Sequence, residues 1–400
     1  MSMSDERVLI AGAGPVGMVA AARLVKQGVP VTVLESGAEL SSESRASTFH
    51  PPTLDMLDEI GAAKPLIDQG LVAPFVQYRS KRDGVIAQFN FGDIADLTRH
   101  PYRLQAEQFK LTRILLDLLQ KSPNFEIEFN ATVENVEQDS HSVQVDVRRG
   151  QSLEKRSGRW LIGADGARSA VRRSLNVEFE GFTWPDRFLV VSTPFDFQAI
   201  FPDVVSVSYV ADPKCWHFLL RVGSVWRVMF PVPAEIGDDV AQSTDYAQSL
   251  LANVAPGERK YEISHTTLYR VHQRVAQTFQ VGRAFLAGDA AHINNPLGGM
   301  GMNGGVHDAV NLTDRLATVW KGDAPESEIA RYDLQRRLVT LEYVQKHTIQ
   351  NKRDLEAADE ATQDEFRDRL RRTQADAESR RAYLQRISMI ASLHRAAELG

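Results

Sequence analysis

Gly12, Gly14 and Gly17 have the spacing of a phosphate-binding turn, G-x-G-x-x-G. Such a turn needs glycine for a tight bend, for close approach of the backbone to a pyrophosphate and for close packing of a helix on a strand. Glu35 follows Gly17 by 18 residues. A carboxylate at this distance can bind the two hydroxyl groups of a ribose. The residues therefore predict a site for a nucleotide with a diphosphate.

The elements that must position this turn are a strand, a helix and a second strand. Val8–Ile10 and Val31–Leu34 are short apolar runs, typical of strands that are buried on both faces. Good helix formers occupy Met18–Lys26, and Gly28 lies where such a helix would end. The amino terminus of the helix directs free N–H groups and the positive end of its dipole at a phosphate. A glycine turn in another kind of α/β protein is the alternative, but it does not account for the complete unit.

Two further glycine-containing turns follow short apolar strands. Trp160–Ile162 runs into GADGARS, in which Asp165 can bind a ligand hydroxyl or cap the basic helix that follows. Phe285–Ala287 runs into GDAAHINNPLGGMGMNGG, in which Asp289 ends the strand and a helix is predicted from about Met302. The amino terminus of that helix is a second place for an anion or a polar ring edge.

Three polar residues between the first two turns are candidates for ligand contacts. Arg45 ends a polar loop, where a phosphate or flavin contact competes with a solvated charge. Gln108 begins a helix with a stripe of buried leucines, so a ligand contact competes with an ordinary helix-start glutamine. His50 precedes two prolines and is interpreted as a structural loop residue.

The segment from Gly181 to about Arg274 is rich in strand patterns. Side chains alternate along CWHFLLRV, so His217 and Arg221 share one face, which either lines a substrate pocket or is a wet outer face. Tyr209, on the strand VVSVSYV, is a third candidate, with a core aromatic residue as the alternative. We expect this sheet to cover the nucleotide.

Composition excludes several classes of protein. The 400 residues are 43% hydrophobic and 24% charged, which is ordinary for a globular protein, and the net charge of −6 gives no basic field for nucleic acid. A single cysteine, Cys215, excludes an intrachain disulfide and a multi-cysteine metal site, so no metal is expected. The amino terminus lacks a signal-peptide pattern and no apolar run is long enough to cross a bilayer, so we expect a cytoplasmic protein that binds no membrane.

The three turns together resemble those of the single-component (group A) FAD-dependent aromatic hydroxylases, the p-hydroxybenzoate hydroxylase-like flavoprotein monooxygenases. The resemblance covers about Arg7 to Leu316. It implies an α/β fold in which a Rossmann-like FAD-binding domain of the glutathione reductase type is interleaved with a β-sheet substrate domain and followed by C-terminal helices. The expected boundaries are 1–70, 105–180 and 275–320 for the FAD-binding parts, 71–104 and 181–274 for the substrate domain, and 321–400 for the helices.

The resemblance also implies roles for individual residues in binding FAD. The implied contacts are Gly12, Gly14, Pro15, Val16 and Gly17 on the pyrophosphate; Glu35 and Ser36 at the ribose; Arg45 and Gln108 on the diphosphate and ribityl chain; a backbone contact of Val133 near the adenine; Asp165 for both FAD and the nicotinamide cofactor; Asp289 on the ribityl hydroxyls; and Pro296, Gly299, Gly301, Met302 and Asn303 along the isoalloxazine ring. The N–H groups of Met302 and Asn303 would stabilise negative charge on the reduced flavin.

The implied reaction uses NAD(P)H and O₂ to hydroxylate a small aromatic substrate, phenolic or an aromatic acid, through a flavin C4a-hydroperoxide. The protein has to position the ring, exclude water and help to deprotonate a phenol. His217 is the first candidate for the catalytic base, Tyr209 for a hydrogen-bond relay, and Arg221 for binding a substrate carboxylate.

Two other functions remain open from the sequence. One is an FAD-dependent reductase or dehydrogenase of the same fold without oxygen insertion. The other is a non-catalytic flavin-binding protein with its charged C-terminal helices as a partner surface. VWRVMFPV is the nearest stretch to the tryptophan signature of flavin halogenases and does not match it. A homodimer is among the expected states, because the final helices can dock on the body of the protein or on a second subunit.

Overall fold

A computed structural model describes residues 6–43, 46–213, 216–257, 260–357 and 359–399. Its strands, in chain order, are β1 Val8–Ala11, β2 Val31–Leu34, β3 Thr48–Phe49, β4 Leu71–Ala73, β5 Phe75–Ser80, β6 Gly84–Asn90, β7 Arg103–Gln105, β8 Phe125–Glu128, β9 Thr132–Gln138, β10 Val143–Arg149, β11 Ser152–Gly158, β12 Trp160–Gly163, β13 Phe179–Thr193, β14 Val207–Val210, β15 His217–Val222, β16 Val225–Val232, β17 His265–Ala276, β18 Gln280–Val281, β19 Ala284–Leu286 and β20 His292–Ile293.

The helices are α1 Pro15–Lys26, α2 Pro51–Asp58, α3 Ala63–Ile67, α4 Gln108–Leu119, α5 Ala170–Ser174, α6 Asp238–Ala241, α7 Thr244–Val254, α8 Met300–Trp320, α9 Arg331–Val339, α10 Lys346–Glu356, α11 Glu360–Ala375, α12 Ala377–Ile387 and α13 Ile390–Glu398. A π-helical segment, Thr340–Gln345, joins α9 to α10.

The first sheet carries all three glycine-containing turns. Its strand order is β18-β19-β12-β1-β2-β8, and β19, β12, β1, β2 and β8 are parallel. The apolar runs predicted as buried strands are confirmed, since every residue of β1, β2, β12 and β19 is buried. Parallel strands end at the same edge of a sheet, so the turns after β1, β12 and β19 lie side by side.

The second large sheet has the strand order β20-β17-β13-β16-β15-β14-β5-β6. Its two faces are both covered. On one face, Phe230 and Trp226 pack with α7 residues such as Leu251. On the other, Tyr209 packs with Leu297, from the loop before α8, and with apolar residues of α11, α12 and α13. The last helices therefore dock on the body of the protein.

Three details go beyond or differ from the predicted elements. Strand β11, which pairs with β10, was not predicted, because its residues are largely polar and show no apolar alternation. Helices α6 and α7 interrupt the segment 181–274, which was expected to be rich in strands. Helix α8 begins at Met300, two residues before its predicted start, because Gly299 in the left-handed conformation (φ +68°) forms its N-cap.

Candidate functional site

The glycine turn after β1 has the shape that a pyrophosphate requires. Gly12 has φ +100°, a conformation that favours glycine, and a side chain on Gly17 would overlap the carbonyl oxygen of Gly12. A side chain on Gly14, in contrast, would meet no atom within 4 Å. The backbone of Gly14 therefore borders open space at the amino terminus of α1, whose first residue is Pro15. This cradle fits the diphosphate of FAD.

Glu35 holds the same turn from the second strand. Its Oε2 accepts a hydrogen bond from the N–H of Ala13 at 2.7 Å, and its Oε1 accepts from Gly37 N–H at 2.7 Å and from Ser36 Oγ at 3.3 Å. Val133, the predicted adenine neighbour, lies on β9, just after Ala131, whose N–H donates to Glu35 O at 2.8 Å. The carboxylate is thus fixed beside the turn, where a ribose of the nucleotide would lie.

Val16 joins the first turn to the third. Its Cγ2 would lie 2.8 Å from a side chain added to Gly288 and 2.6 Å from one added to Gly305, so both glycines provide room for this valine. Asp289, next to Gly288, is exposed. The packing of Val16 against Gly288 therefore places the turn that carries Asp289 next to the first turn.

The turn after β12 has a capping carboxylate. Asp165 Oδ2 accepts hydrogen bonds from the N–H groups of Ala170 and Val171, at 2.7 and 3.1 Å. This oxygen therefore caps the helix that follows, which was one of the two predicted roles. Its Oδ1 is buried and has no hydrogen-bond partner among the described residues. The backbone of Asp165 lies against Gly12, because a side chain there would lie 3.1 Å from Asp165 Cα, so this turn adjoins the first one.

The loop before α8 is held from three sides. Gly298 N–H donates to the hydroxyl oxygen of Tyr209 at 3.1 Å, and Gly298 O is 2.9 Å from His50 Nε2. Asn303 is fully buried: its Oδ1 accepts from His50 N–H at 2.9 Å and its Nδ2 donates to Gly299 O at 2.6 Å. The loop from Pro296 to Gly299 is closed by a turn, with Gly299 N–H donating to Pro296 O at 3.0 Å.

The same helix amino terminus carries the remaining predicted ring contacts. Gly301 and Met302 lie in the first turn of α8, whose early N–H groups have no partner inside the helix. A side chain on Gly301 would meet only Asn294 Oδ1, at 3.4 Å. The prediction that an isoalloxazine ring lies at this end of α8 stays a prediction.

Gln108 lies at the first residue of α4 and pairs with the end of the loop after β2. Its N–H donates to Ala46 O at 3.1 Å, and its Oε1 accepts from Ala46 N–H at 3.4 Å. Arg45, the neighbouring candidate, lies outside the described residues. Arg227 from β16 reaches the same place, with its Nη1 donating to Ser47 Oγ at 3.2 Å.

The three predicted catalytic residues are not brought together. His217 is paired with Val210 and lies on the α7 face, with its ring 5.7 Å from that of Phe230. Arg221 is on the same face, where its Nη1 donates to Gln198 Oε1 at 2.9 Å. Tyr209 lies on the opposite face, toward the loop before α8. The arrangement therefore places Tyr209 at the loop before α8, where a catalytic role is feasible. It places His217 and Arg221 on the face away from this loop and does not support their predicted roles.

Residues that the sequence interpretation missed surround Tyr209, and we call the region between this aromatic cluster and the loop before α8 the chamber. The ring of Tyr209 stacks on Tyr78 at 5.3 Å, and Tyr383 of α12 donates to Tyr78 Oη at 2.8 Å. Arg103 of β7 reaches the helix that carries Tyr383, where its Nη2 donates to Ile387 O at 3.0 Å, and its charge opposes the rise that burial causes in the pKa of both Tyr78 and Tyr383. No local pattern signals these residues, which lie far apart in the chain.

A buried ionic network stabilises the third turn, the one that follows β19. Asp308 of α8 is fully buried; its Oδ2 accepts from His292 Nε2 at 2.7 Å and from Gly288 N–H at 3.1 Å, and its Oδ1 accepts from Arg336 Nε at 2.8 Å. Burial alone would raise the pKa of Asp308, but His292 and Arg336 lower it to about 2. The carboxylate is therefore ionised and fixes the backbone of the turn that presents Asp289.

The fold and the three turns define a flavoprotein, and the comparison with known proteins agrees. The chain belongs to the family described as "FAD binding domain", whose model matches residues 5–347.

Two curated relatives and one solved structure specify the class. The chain is 34% identical over 339 residues to para-nitrophenol 4-monooxygenase of Pseudomonas sp. strain WBC-3, covering 84% of each chain. It is 33% identical over 362 residues to 6-hydroxy-3-succinoylpyridine 3-monooxygenase of Pseudomonas putida, covering 89% of this chain and 90% of the relative. The crystal structure of p-nitrophenol 4-monooxygenase from Pseudomonas putida DLL-E4 superposes with a TM-score of 0.90 at 30% identity, over 98% of both chains.

These relatives confirm the prediction of an FAD-dependent aromatic monooxygenase over that of a reductase. They also confirm the predicted fold class. Across the described ranges, no helix combines the length and the apolar character needed to span a bilayer.

Proposed function

We propose that this enzyme inserts one oxygen atom of O₂ into the ring of a small phenol or hydroxypyridine that binds as its oxyanion, with NAD(P)H as electron donor. The relatives named for a nitrophenol and a hydroxypyridine support this substrate class. The proposal includes the FAD contacts predicted above.

The burial of Arg103 without a paired carboxylate is the observation that supports an anionic substrate. Its side chain is 2% exposed, its Nη2 donates to Ile387 O at 3.0 Å, and its Nε is buried without a hydrogen-bond partner. No carboxylate among the described residues pairs with it. A buried cation without a counter-ion is costly, and an anionic substrate would compensate it. The contact with Ile387 places this charge against α12, the helix that carries Tyr383.

The residues around the chamber have different roles in the proposed reaction. Bound FAD supplies the activation of O₂ with electrons from NAD(P)H. Tyr209 holds the N–H of Gly298 and so fixes the loop along the expected ring position. The aromatic face of the second sheet and the C-terminal helices exclude water from the reacting groups. Arg103 keeps the substrate hydroxyl ionised, which enriches the ring in electrons for attack by an electrophilic oxygen.

The test measures NAD(P)H oxidation by the FAD-loaded protein with phenols, nitrophenols, aminobenzoates and hydroxypyridines, with products checked by mass. We expect one phenolic class to stimulate oxidation and to gain one oxygen atom. The Arg103→Met variant should raise KM for that substrate by at least about tenfold, since a charge-assisted hydrogen bond is lost. Arg113→Met on the exposed face of α4 is the matched control and should leave KM unchanged.

Two results would contradict the proposal. If NAD(P)H is oxidised but no compound gains oxygen, the FAD-dependent reductase is the better hypothesis. If the Arg103→Met variant has the parent KM, Arg103 does not bind the substrate oxyanion.

A cytoplasmic location and a homodimer extend the proposal. The single cysteine supports the first, because cytoplasmic proteins are kept in a reduced state. Light scattering of the FAD-loaded protein at micromolar concentration tests the second, and a monomer mass would reject it.

A further inference from the structure

Helix α10 begins directly after a π-helical segment and brings one face to the loop before α8. The π-helix Thr340–Gln345 is unusual, because such segments are rare and are frequent at functional sites. Two residues after it lies His347, and Asn351 follows one helical turn later. Residues four apart share a face of a helix, so His347 and Asn351 point in the same direction.

The neighbours of His347 on α10 contact β17 and the loop before α8. Thr348 Oγ1 accepts a hydrogen bond from Gln273 Nε2 at 2.9 Å, and Thr348 O accepts from Asn295 Nδ2 at 2.9 Å. A side chain added to Gly298 would lie 3.4 Å from Asn351 Nδ2, so this amide lies against the loop. The helix is therefore fixed beside the expected ring position.

His347 is half-buried, and it shares the face of α10 on which Asn351 lies against the loop before α8. No hydrogen bond joins its ring to another described residue. Burial and the guanidinium groups of Arg386 and Arg103 lower the pKa of His347 to about 3. The imidazole is therefore neutral at working pH, with one N–H to donate.

The charged and titratable groups around this position come from several elements. Arg103 of β7 and Arg386 of α12 act on His347, and the same two arginines act on Tyr383 of α12, which is hydrogen-bonded to Tyr78 of β5. His50 is linked to these groups through Arg103, because burial and then Arg103 lower its pKa well below the usual value. These surroundings provide positive charge and neutral donors, and they favour an anion.

We infer that the neutral imidazole of His347 donates a hydrogen bond to the oxyanion that Arg103 pairs, and that the two residues together bind the substrate as its phenolate. Only the phenolic O–H bond breaks: the electron pair stays on oxygen and the proton leaves to bulk water. This inference rests on the proposed function, and it makes His347 a substrate-binding residue that selects ring hydroxyls able to ionise.

The test is the titration of a bound phenol without NAD(P)H. Difference spectra of the FAD-loaded, oxidised enzyme with 4-nitrophenol report the fraction of nitrophenolate as pH is changed. We expect the pKa of the bound phenol to lie below its value in solution. The His347→Leu variant should raise that pKa by about one unit and weaken phenolate binding about tenfold. His347→Gln keeps an N–H donor and should retain most of the effect.

FAD content is measured first for each variant, and His347→Ala replaces the leucine variant if that one loses FAD. His394→Gln, an exposed histidine of α13, is the control and should titrate as the parent does. A His347→Leu enzyme that titrates its bound phenol like the parent, while the parent still hydroxylates phenols, overturns the inference and leaves the proposed function standing. A parent enzyme that neither binds nor hydroxylates any phenol contradicts the proposed function itself, and this inference with it.

Discussion

The buried carboxylate of Asp308 gives the most precise expectation for stability. Its pKa of about 2 in the folded protein lies below its ordinary value of 3.8. A lowered acid pKa stabilises the folded state above the unfolded pKa, and this stabilisation is lost as pH falls through the folded pKa. The difference is worth about 2 kcal/mol at pH 7, and it disappears between about pH 4 and pH 2.

The Asp308→Asn variant should lose more folding stability than the free energy that comes from the pKa difference alone. Its amide can still accept one hydrogen bond, but Arg336 would remain 1% exposed with an uncompensated charge. Breaking one partner of a buried ion pair costs about 3–5 kcal/mol. We therefore expect urea unfolding of the FAD-loaded protein to show a loss of about 3 kcal/mol, constant between about pH 5 and pH 8.

The same helix offers a matched control. Asp314 also pairs with an arginine, Arg23, at 2.7 Å, but its side chain is 49% exposed. Water screens such a pair, so Asp314→Asn should lose less than about 1 kcal/mol. If Asp308→Asn lost no more than Asp314→Asn, the buried network would not be what holds the turn before α8, and the reasoning above would be refuted.

Three substitutions test the flavin side of the chamber. Gly14→Ala has room and an ordinary φ of −68°, so the protein should fold normally, yet FAD affinity should fall at least about tenfold because the methyl group occupies the diphosphate space; fluorescence titration measures it. Gly17→Ala would instead overlap the oxygen of Gly12 and should lower the thermal midpoint of the FAD-free protein, which Gly14→Ala leaves unchanged. Tyr209→Phe removes the acceptor for Gly298 N–H, costs about 1 kcal/mol and should increase the hydrogen peroxide formed per NAD(P)H oxidised; an unchanged ratio would separate Tyr209 from loop positioning.

Local motifs made the flavin half of the molecule predictable. The residues that form each turn are neighbours in the sequence, and parallel strands bring the turns to one edge, so Gly12, Asp165 and Asp289 needed no long-range information. The exact start of α8 was missed because the left-handed conformation of Gly299 depends on packing against Thr48, which lies 3.1 Å from where a side chain would be. Thr48 is distant in sequence and gives no signal there.

The substrate half was predicted less well, for a definable reason. The alternation of a strand correctly placed His217 and Arg221 on one face, but alternation does not say which face turns toward the flavin. Burial gave no help, because α7 covers one face and the C-terminal helices cover the other. A polar residue on either face therefore has a buried environment, and the hydrogen bond between Gly298 and Tyr209 shows which face turns toward the loop before α8.

The chamber's cationic side is invisible to sequence reasoning because its parts are far apart along the chain. Arg103 lies in an ordinary short strand, and its backbone partner, Ile387, is 284 residues away. His347 lies in a charge-rich segment whose composition indicates a solvated helical face. Only the packing of α10 and α12 against the second sheet and the loop before α8 brings that segment next to the candidate site. A change that loosens these helices should therefore impair substrate binding before it impairs flavin binding, because the FAD cradle is built almost entirely from residues before α9.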